Sequence, residues 1–379
     1  MGLVTQTEHL PDSLCEHSGR SGVLVSIAVG DETAQCSWVQ TLMDNVMRLS
    51  REDTHVVLHL SSTLKCADID LNRWRHEHRR LILNPARLTT RAGTGSVLRA
   101  HLLNARHAAT KWASEPNRCC CSFIMQSSNM LWLRPGMEQR VMELGSSLGR
   151  TGWGGVSKLL TVRLMQIGIE AHTKGTVPDQ KHLPSYLPAQ SLLTTAAVYH
   201  NLTASSIHSM PLHAFEYHEG SFYPLATVLR FLSRIELLIS SSQMDAAMNY
   251  PEEFWLQAYV LNHEDANLAH PTSQQLCLRS LVAAGKTAHG VHAAERLATT
   301  AGCSLTGRRE MNRTSLAAEY VRFFAFKRFV RDCEEKVTAY ALNLTAKCFS
   351  KSCGTGSLVD GVVTGESVRR DTDCRGLIA

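Results

Sequence analysis

The chain has 379 residues, 44% of them hydrophobic, and 39 basic against 34 acidic residues give a net charge of +5. This length and apolar content suffice for one large domain or two smaller ones with a buried core. The charge is too mild to indicate a nucleic-acid binder and favours anionic ligands only slightly. No run of about 20 apolar residues occurs, so no membrane span is predicted in this chain.

The cysteines and sequons leave the compartment open. Twelve cysteines are present, but no C-x-x-C pair occurs, and the contiguous Cys119, Cys120 and Cys121 do not suit one tetrahedral zinc. Three N-x-T sequons matter only in a secretory protein. Residues 1–20 contain no apolar signal-peptide core. Localisation therefore stays unknown: the chain is either cytoplasmic or the soluble part of a protein with an anchor upstream.

The first half of the chain alternates predicted strands and helices. Residues 1–20 are polar and are expected to be flexible. Apolar runs then predict four strands, and amphipathic stripes predict helices at 37–49 and from Gly95–Ser96 to Trp112. The predicted strands are 22–30, 54–60, 80–83 and 122–126. Such β-α-β alternation predicts an α/β fold with a mostly parallel sheet and helices on its faces.

The second half gives fewer signals. Residues 144–210 are mixed, and a helix is predicted at 224–238. Pro251 suits the first turn of a second helix, and further elements are expected later in the chain. These are a helix over 252–262, a strand or helix over 320–329 and a helix over 334–344. The Gly-, Ser- and Thr-rich stretch after residue 350 predicts a disordered tail.

Polar residues follow each predicted strand. Open α/β sheets bind ligands at the carboxyl ends of their strands, so a ligand cleft is expected there. The ends comprise residues 29–31, 61–63, 84–87 and 127–129. Ser127, Ser128 and Asn129 include no carboxylate, histidine or thiol. Gly93-Thr94-Gly95-Ser96 precedes a predicted helix, which favours either an anion at the helix N-terminus or an ordinary serine-capped start.

Two further segments carry candidate chemistry. Glu252 and Glu253 follow Pro251 and precede Phe254 and Trp255. They either stabilise a helix dipole or supply a general base beside an apolar wall. The segment 322–332, "RFFAFKRFVRD", places cations among aromatic residues. Such cations either bind a diphosphate or extend into water from a half-buried strand.

Five segments together resemble the core-2/I-branching β-N-acetylglucosaminyltransferases and their relatives, the peptide O-xylosyltransferases. The resemblance covers roughly residues 22–345 and rests on the order and spacing of the segments, since no single motif is diagnostic. Ser61 stands where the family has an acidic residue that contacts the nucleotide base. The segments are "VVLHLSS" (56–62), "TGSVLRAHLLNA" (94–105), "QSSNMLWLRPG" (126–136), Pro251-Glu252-Glu253 and "FAFKRFVRD" (324–332).

The resemblance implies a GT-A-like domain over 21–348, between a flexible 1–20 and a disordered 349–379. Residues 21–143 would form its nucleotide-binding half and 144–348 its acceptor and catalytic half. It further implies a nucleotide-sugar donor, a UDP-sugar such as UDP-GlcNAc or UDP-xylose, with inverting transfer to a glycan or other hydroxyl acceptor. A Golgi or secretory lumen would be the compartment. No metal or other cofactor is expected, because cations near the C-terminus neutralise the diphosphate.

The resemblance also implies roles for individual residues. Glu253, or else its neighbour Glu252, is the expected general base. The other expected residues fall into two groups, one at the nucleotide and diphosphate and one at the donor and acceptor pocket. They are Val29, Ser61, Ser96, Lys327, Arg328 and Arg331 in the first group, and Ser127, Ser128, Asn129 and Trp255 in the second. The alternative is a catalytically silent carbohydrate- or nucleotide-binding module of the same fold, and a third reading is an unrelated α/β protein in which the similarities arise by chance.

Overall fold

A computed structural model describes the core of the chain. The described residues are 22–30, 36–64, 74, 76–91, 93–113, 120–128, 130–132, 135–145, 156–183, 189–190, 192–193, 195–197, 220–236, 239, 244–245, 251–253, 255–263, 277–279 and 325–327. The strands are β1 (Gly22–Val29), β2 (His55–Leu60), β3 (Leu81–Leu83), β4 (Cys120–Ser127), β5 (Met130–Trp132), β6 (Ser221–Pro224), β7 (Cys277–Arg279) and β8 (Ala325–Lys327). The α-helices are α1 (Cys36–Leu49), α2 (Gly95–Ala113), α3 (Met137–Leu144), α4 (Val156–Thr173), α5 (Leu225–Arg234) and α6 (Trp255–His263).

A five-stranded sheet in the order β3-β2-β1-β4-β6 forms the centre of the fold. The first four strands are parallel, and β6 runs antiparallel to β4 at the edge. Every residue of β1 is buried, as expected for a strand covered on both faces. The predicted mostly parallel α/β sheet is therefore confirmed.

Helices cover both faces of this sheet. Leu24, Val57 and Phe123 share one apolar cluster with α2, α5 and α6. Gln126 follows Met125 of that cluster and so faces the other way, because side chains alternate along a strand. On this second face Gln126 bonds to Trp132 of β5, which in turn bonds to Asn45 of α1. Strand β5 and helix α1 therefore lie opposite α2.

A second, three-stranded sheet has the order β5-β8-β7. Buried amides fix its first strand to the main sheet. The Gln126 side chain donates to the Met130 carbonyl (3.1 Å) and accepts from the Trp132 indole nitrogen (2.8 Å). Asn45 pairs with both backbone groups of Trp132, at 2.9 and 2.8 Å. Because buried polar groups without partners are costly, these bonds specify one position for β5.

A buried polar cluster lies between α2 and the sheet. The Asn104 amide nitrogen donates to the Ser26 hydroxyl (3.0 Å) and to the carbonyls of Ile27 and Val57 (both 3.2 Å). Its carbonyl accepts from the Asn84 amide nitrogen (2.8 Å). Ser26 also bonds to His101 Nδ1 at 2.8 Å, and burial lowers the pKa of His101 to about 3. His101 is therefore neutral at pH 7.

Arg80, the last residue of the basic stretch "RWRHEHRR" (73–80), hydrogen-bonds to the C-terminal end of helix α1. Its guanidinium donates to the Met47 carbonyl at 2.8 Å and also to the Arg51 carbonyl. Cations near a helix C-terminus satisfy its free carbonyls and suit its dipole. This arginine stabilises the end of α1 at the amino edge of the sheet.

Several element boundaries differ from the predictions. The predicted helix 224–238 begins only after Pro224, which closes the unpredicted edge strand β6. The predicted helix 252–262 begins at Trp255, and Pro251–Glu253 forms a separate 3₁₀ turn. Glu252 and Glu253 are therefore not in the first turn of α6; such turns often precede α-helices. The segment 320–329 contains strand β8. The terminal segments and 334–344 lie outside the described residues.

Across the described ranges, no helix is both long and apolar enough to cross a membrane.

Candidate functional site

The sheet topology marks one place for a ligand. The chain moves outward from β1 to β2 and β3, and α2 then returns it to β4 on the other side of β1. The strand order therefore reverses between β1 and β4. Ligands of open α/β sheets bind at such a reversal, outside the carboxyl ends of the strands. At that edge Ala28 pairs with both His59 of β2 and Ser127 of β4.

The ends of β1 and β2 are closed by hydrogen bonds. The Val29 side chain is fully buried, and its carbonyl accepts from the Ser61 amide (2.9 Å) and the Thr90 hydroxyl (3.4 Å). The Ser61 hydroxyl is buried, accepts from the Thr90 amide (3.3 Å) and bonds to Thr63 (3.2 Å). Val29 and Ser61 thus lie at the expected edge, and nucleotide contacts by them stay predictions.

The helix start at Ser96 is built from local bonds. The Ser96 hydroxyl accepts from the Arg91 amide (2.8 Å) and bonds to the Thr94 hydroxyl (2.7 Å). A Cβ atom on Gly95 would lie 2.1 Å from the Met244 carbonyl oxygen, so the neighbouring backbone requires glycine there. The Thr94 hydroxyl accepts from the Ser96 amide (3.4 Å), so the helix start is capped by threonine and not by the serine that the sequence suggested. A diphosphate contact by Ser96 stays a prediction.

The end of β4 lies near Lys327, the one cation of the segment 322–332 that falls among the described residues. Ser127 ends β4, Ser128 follows in a turn, and both are partly buried. Just beyond them, Met130 of β5 pairs with Lys327 of the antiparallel strand β8. The main chain of Lys327 therefore lies one strand spacing from a residue that directly follows the β4 end. Asn129, Arg328 and Arg331 lie outside the described residues.

The acidic turn Pro251–Glu253 packs on α2. Glu252 is buried, and desolvation raises the pKa of its carboxyl to about 8. Earlier in the chain, Asp245 forms an ion pair with Arg99 of the same helix (2.6 Å). Trp255 is fully buried in the apolar cluster beneath α2. Glu252 is thus protonated at neutral pH, whereas a general base must begin ionised.

The raised pKa of Glu252 predicts how stability changes with pH. Between about 4.5 and about 8 the folded protein binds a proton that the unfolded chain releases, so the free energy of unfolding falls as pH rises through this window. Glu252→Gln removes this loss and should raise the free energy of unfolding at pH 8 by an amount on the order of a few kcal/mol, which appears as a higher urea midpoint. At pH 4 the two proteins should be alike. Urea denaturation at both pH values measures this, and equal midpoints at pH 8 would contradict the burial of an ionisable carboxyl.

In the loop after β3, the strand end 84–87 and the helix start 93–96 were expected near a ligand, but residues 88–90 between them were not. Thr90 bonds to Val29 and Ser61, and it lies beside exposed Thr89 and Arg91. The signal was present as a run of hydroxyls and arginines directly after the polar strand end 84–87. These residues matter because the loop passes over the ends of β1 and β2, and the local sequence does not show where the loop runs.

Comparison with known proteins gives no family for this chain. No protein-family model matches the sequence, and no curated protein matches it at a significant level. The described residues hold no group of three or more histidine, cysteine, aspartate or glutamate side chains arranged to bind a metal ion.

Proposed function

We propose that the protein is a metal-independent, inverting glycosyltransferase with a GT-A-like fold that uses a UDP-sugar donor. The supporting observation is the pairing of Met130 with Lys327, which brings the main chain of Lys327 to within one strand spacing of the segment that follows β4. A donor diphosphate at the β1/β4 reversal would lie beside this segment. Lys327, with Arg328 and Arg331, would then neutralise the leaving group, as a divalent metal does in related chemistry.

The proposed reaction has one displacement step. Glu253 takes the proton from an acceptor hydroxyl, and the oxygen attacks the anomeric carbon of the donor sugar. The bond between that carbon and the diphosphate oxygen breaks, and the nucleoside diphosphate leaves with the electron pair. Inversion follows because attack and departure occur on opposite faces. Ser127, Ser128 and Asn129 would shape the sugar pocket by hydrogen bonding, with Trp255 behind the acidic turn.

A second candidate is a silent binding module of the same fold. The burial of Glu252 favours it, since one of the two carboxyls of the acidic turn is withdrawn from ionisation. Such a module would bind nucleotide or carbohydrate without turnover. Release of UDP from UDP-GlcNAc and UDP-xylose, with and without added glycan acceptors, separates the two functions.

The proposed mechanism needs no divalent metal for turnover. UDP release in excess EDTA should equal release with Mn²⁺, because the countercharge belongs to the chain. Activity that EDTA abolishes and Mn²⁺ restores would rule out the proposed mechanism.

A further prediction concerns Lys327. Lys327→Ala and Arg328→Ala should each weaken UDP binding by roughly ten- to a hundredfold, the value of a hydrogen bond to a charged group. Isothermal titration measures this. Lys174→Ala is the matched control, since Lys174 is exposed at the end of α4 and pairs only loosely with Glu170 at 3.6 Å. Unchanged affinity in both test variants would place the diphosphate elsewhere.

A further inference from the structure

The loop between β3 and α2 crosses the carboxyl edge of the sheet with an alternating pattern of burial. Arg87, Thr89 and Arg91 are exposed, whereas Leu88 is partly buried and Thr90 is buried. Alternation of this kind is typical of an extended segment with one face on the protein and one in water. We call the three exposed residues the arginine row.

The inward residues of this loop are bonded to the sheet. The Leu88 amide donates to His59 Nε2 (3.0 Å), and its carbonyl accepts from the Ser62 amide (3.0 Å). Thr90 bonds to Val29 and to Ser61, as described above. These bonds to strand ends hold the loop in one conformation. The arginine row is therefore preorganised, which lowers the entropy lost when a ligand binds.

The outward side presents donors and positive charge. Arg87 donates one guanidinium bond to the Ser61 carbonyl (3.0 Å), which orients it and leaves its other donors for a ligand. The exposed Ser62 hydroxyl bonds to the Thr89 hydroxyl at 2.7 Å, so the two act as one polar pair. In the described strand ends and loop, 55–64 and 84–98, no carboxylate occurs, and neither Arg87 nor Arg91 has an ion-pair partner among the described residues.

We infer that the arginine row, with Ser62, is a binding site for a phosphoryl group. Guanidinium groups match phosphate oxygens in geometry and charge, and hydroxyls add neutral hydrogen bonds. The row lies over the ends of β2 and β1, on the opposite side of the β1/β4 reversal from Lys327. It goes beyond the proposed transferase function and does not depend on it. The phosphoryl group belongs either to a free phosphate or pyrophosphate or to a nucleotide.

Titration with three probes tests this site: inorganic phosphate, pyrophosphate and UDP, each at low salt and near 0.15 M salt. Pyrophosphate should bind the wild-type protein, and Arg91→Gln and Arg87→Gln should each weaken binding by at least about tenfold. Affinity should fall as salt rises. The comparison is made on the binding that Arg91→Gln weakens: if that binding is tighter for UDP than for pyrophosphate the ligand is a nucleotide, and if the two are equal it is a free anion.

Two controls make the result specific. Arg79→Gln removes the same charge from an exposed arginine at the opposite, amino edge, just before β3, and should leave affinity unchanged. Arg87→Lys keeps the charge and should recover part of the affinity. The inference is overturned if the wild type binds none of the probes, if Arg91→Gln leaves affinity unchanged, or if Arg79→Gln weakens it equally. The arginine variants could lose UDP affinity while Lys327→Ala keeps it. That result would support the phosphoryl site and refute the position of the diphosphate beside Lys327 in the proposed function.

Discussion

Glu253→Gln should lower turnover of the donor by about 10²- to 10⁴-fold and leave UDP affinity unchanged, which is the usual effect of losing a general base. Glutamine keeps the size of the side chain and one carbonyl oxygen, but it cannot accept the acceptor's proton. Initial rates of UDP release, measured with and without acceptor, report the turnover, and titration reports the affinity.

Glu252→Gln is the matched control for this experiment. Glu252 is buried and its pKa lies near 8, so it is mostly protonated at neutral pH, which disfavours it as the base. The variant should retain turnover. If Glu252→Gln is inactive and Glu253→Gln is active, Glu252 is the general base and Glu253 is not. If neither variant affects turnover, the silent binding module becomes the better function.

Asn104→Leu should lower the free energy of unfolding by at least about 3 kcal/mol, because several buried polar groups lose a hydrogen-bond partner at once. Leucine matches asparagine approximately in size, yet it leaves the Asn84 amide without its acceptor and removes one of the two hydrogen-bond partners of the Ser26 hydroxyl. Each such buried group costs about 1–3 kcal/mol. Chemical denaturation followed by circular dichroism measures the loss.

Thr110→Leu is the control for the Asn104 variant. Thr110 is exposed on the same helix, and its replacement brings a similar gain in helix propensity without touching the polar cluster. It should be neutral or slightly stabilising. An Asn104→Leu protein as stable as Thr110→Leu would show that the cluster contributes no net stability.

Local pattern was sufficient for most elements of the main sheet. The apolar runs at β1, β2, β3 and β4 are bounded by glycine, serine or asparagine, so both their type and their approximate limits could be predicted. Helices α1 and α2 followed from apolar stripes at helical spacing. The alternation of these elements along the chain also predicted parallel pairing, because parallel strands need a crossover between them.

The surroundings of the candidate site residues depended on contacts between segments that are far apart in the chain. The sequence left open an anion site at the helix start 93–96, whereas the structure places the Met244 carbonyl against Gly95. It suggested a helix over Glu252, whereas a 3₁₀ turn buries this carboxyl against α2. In both cases the partner lies far along the chain, and local composition carries no information about it.

The sequence by itself determined the α/β class, the parallel core of the sheet and the polar character of the strand ends, because burial periodicity and strand-bounding residues are local properties. Only the tertiary structure decided that β6 runs antiparallel at the edge, that β8 pairs with β5, and that Arg87, Thr89 and Arg91 share one exposed face. Strand pairing is selected by long-range packing and by buried bonds such as those of Gln126 and Asn45. The same three-residue strand Ala325–Lys327 would satisfy its backbone against many partners, and the folded core selects one of them.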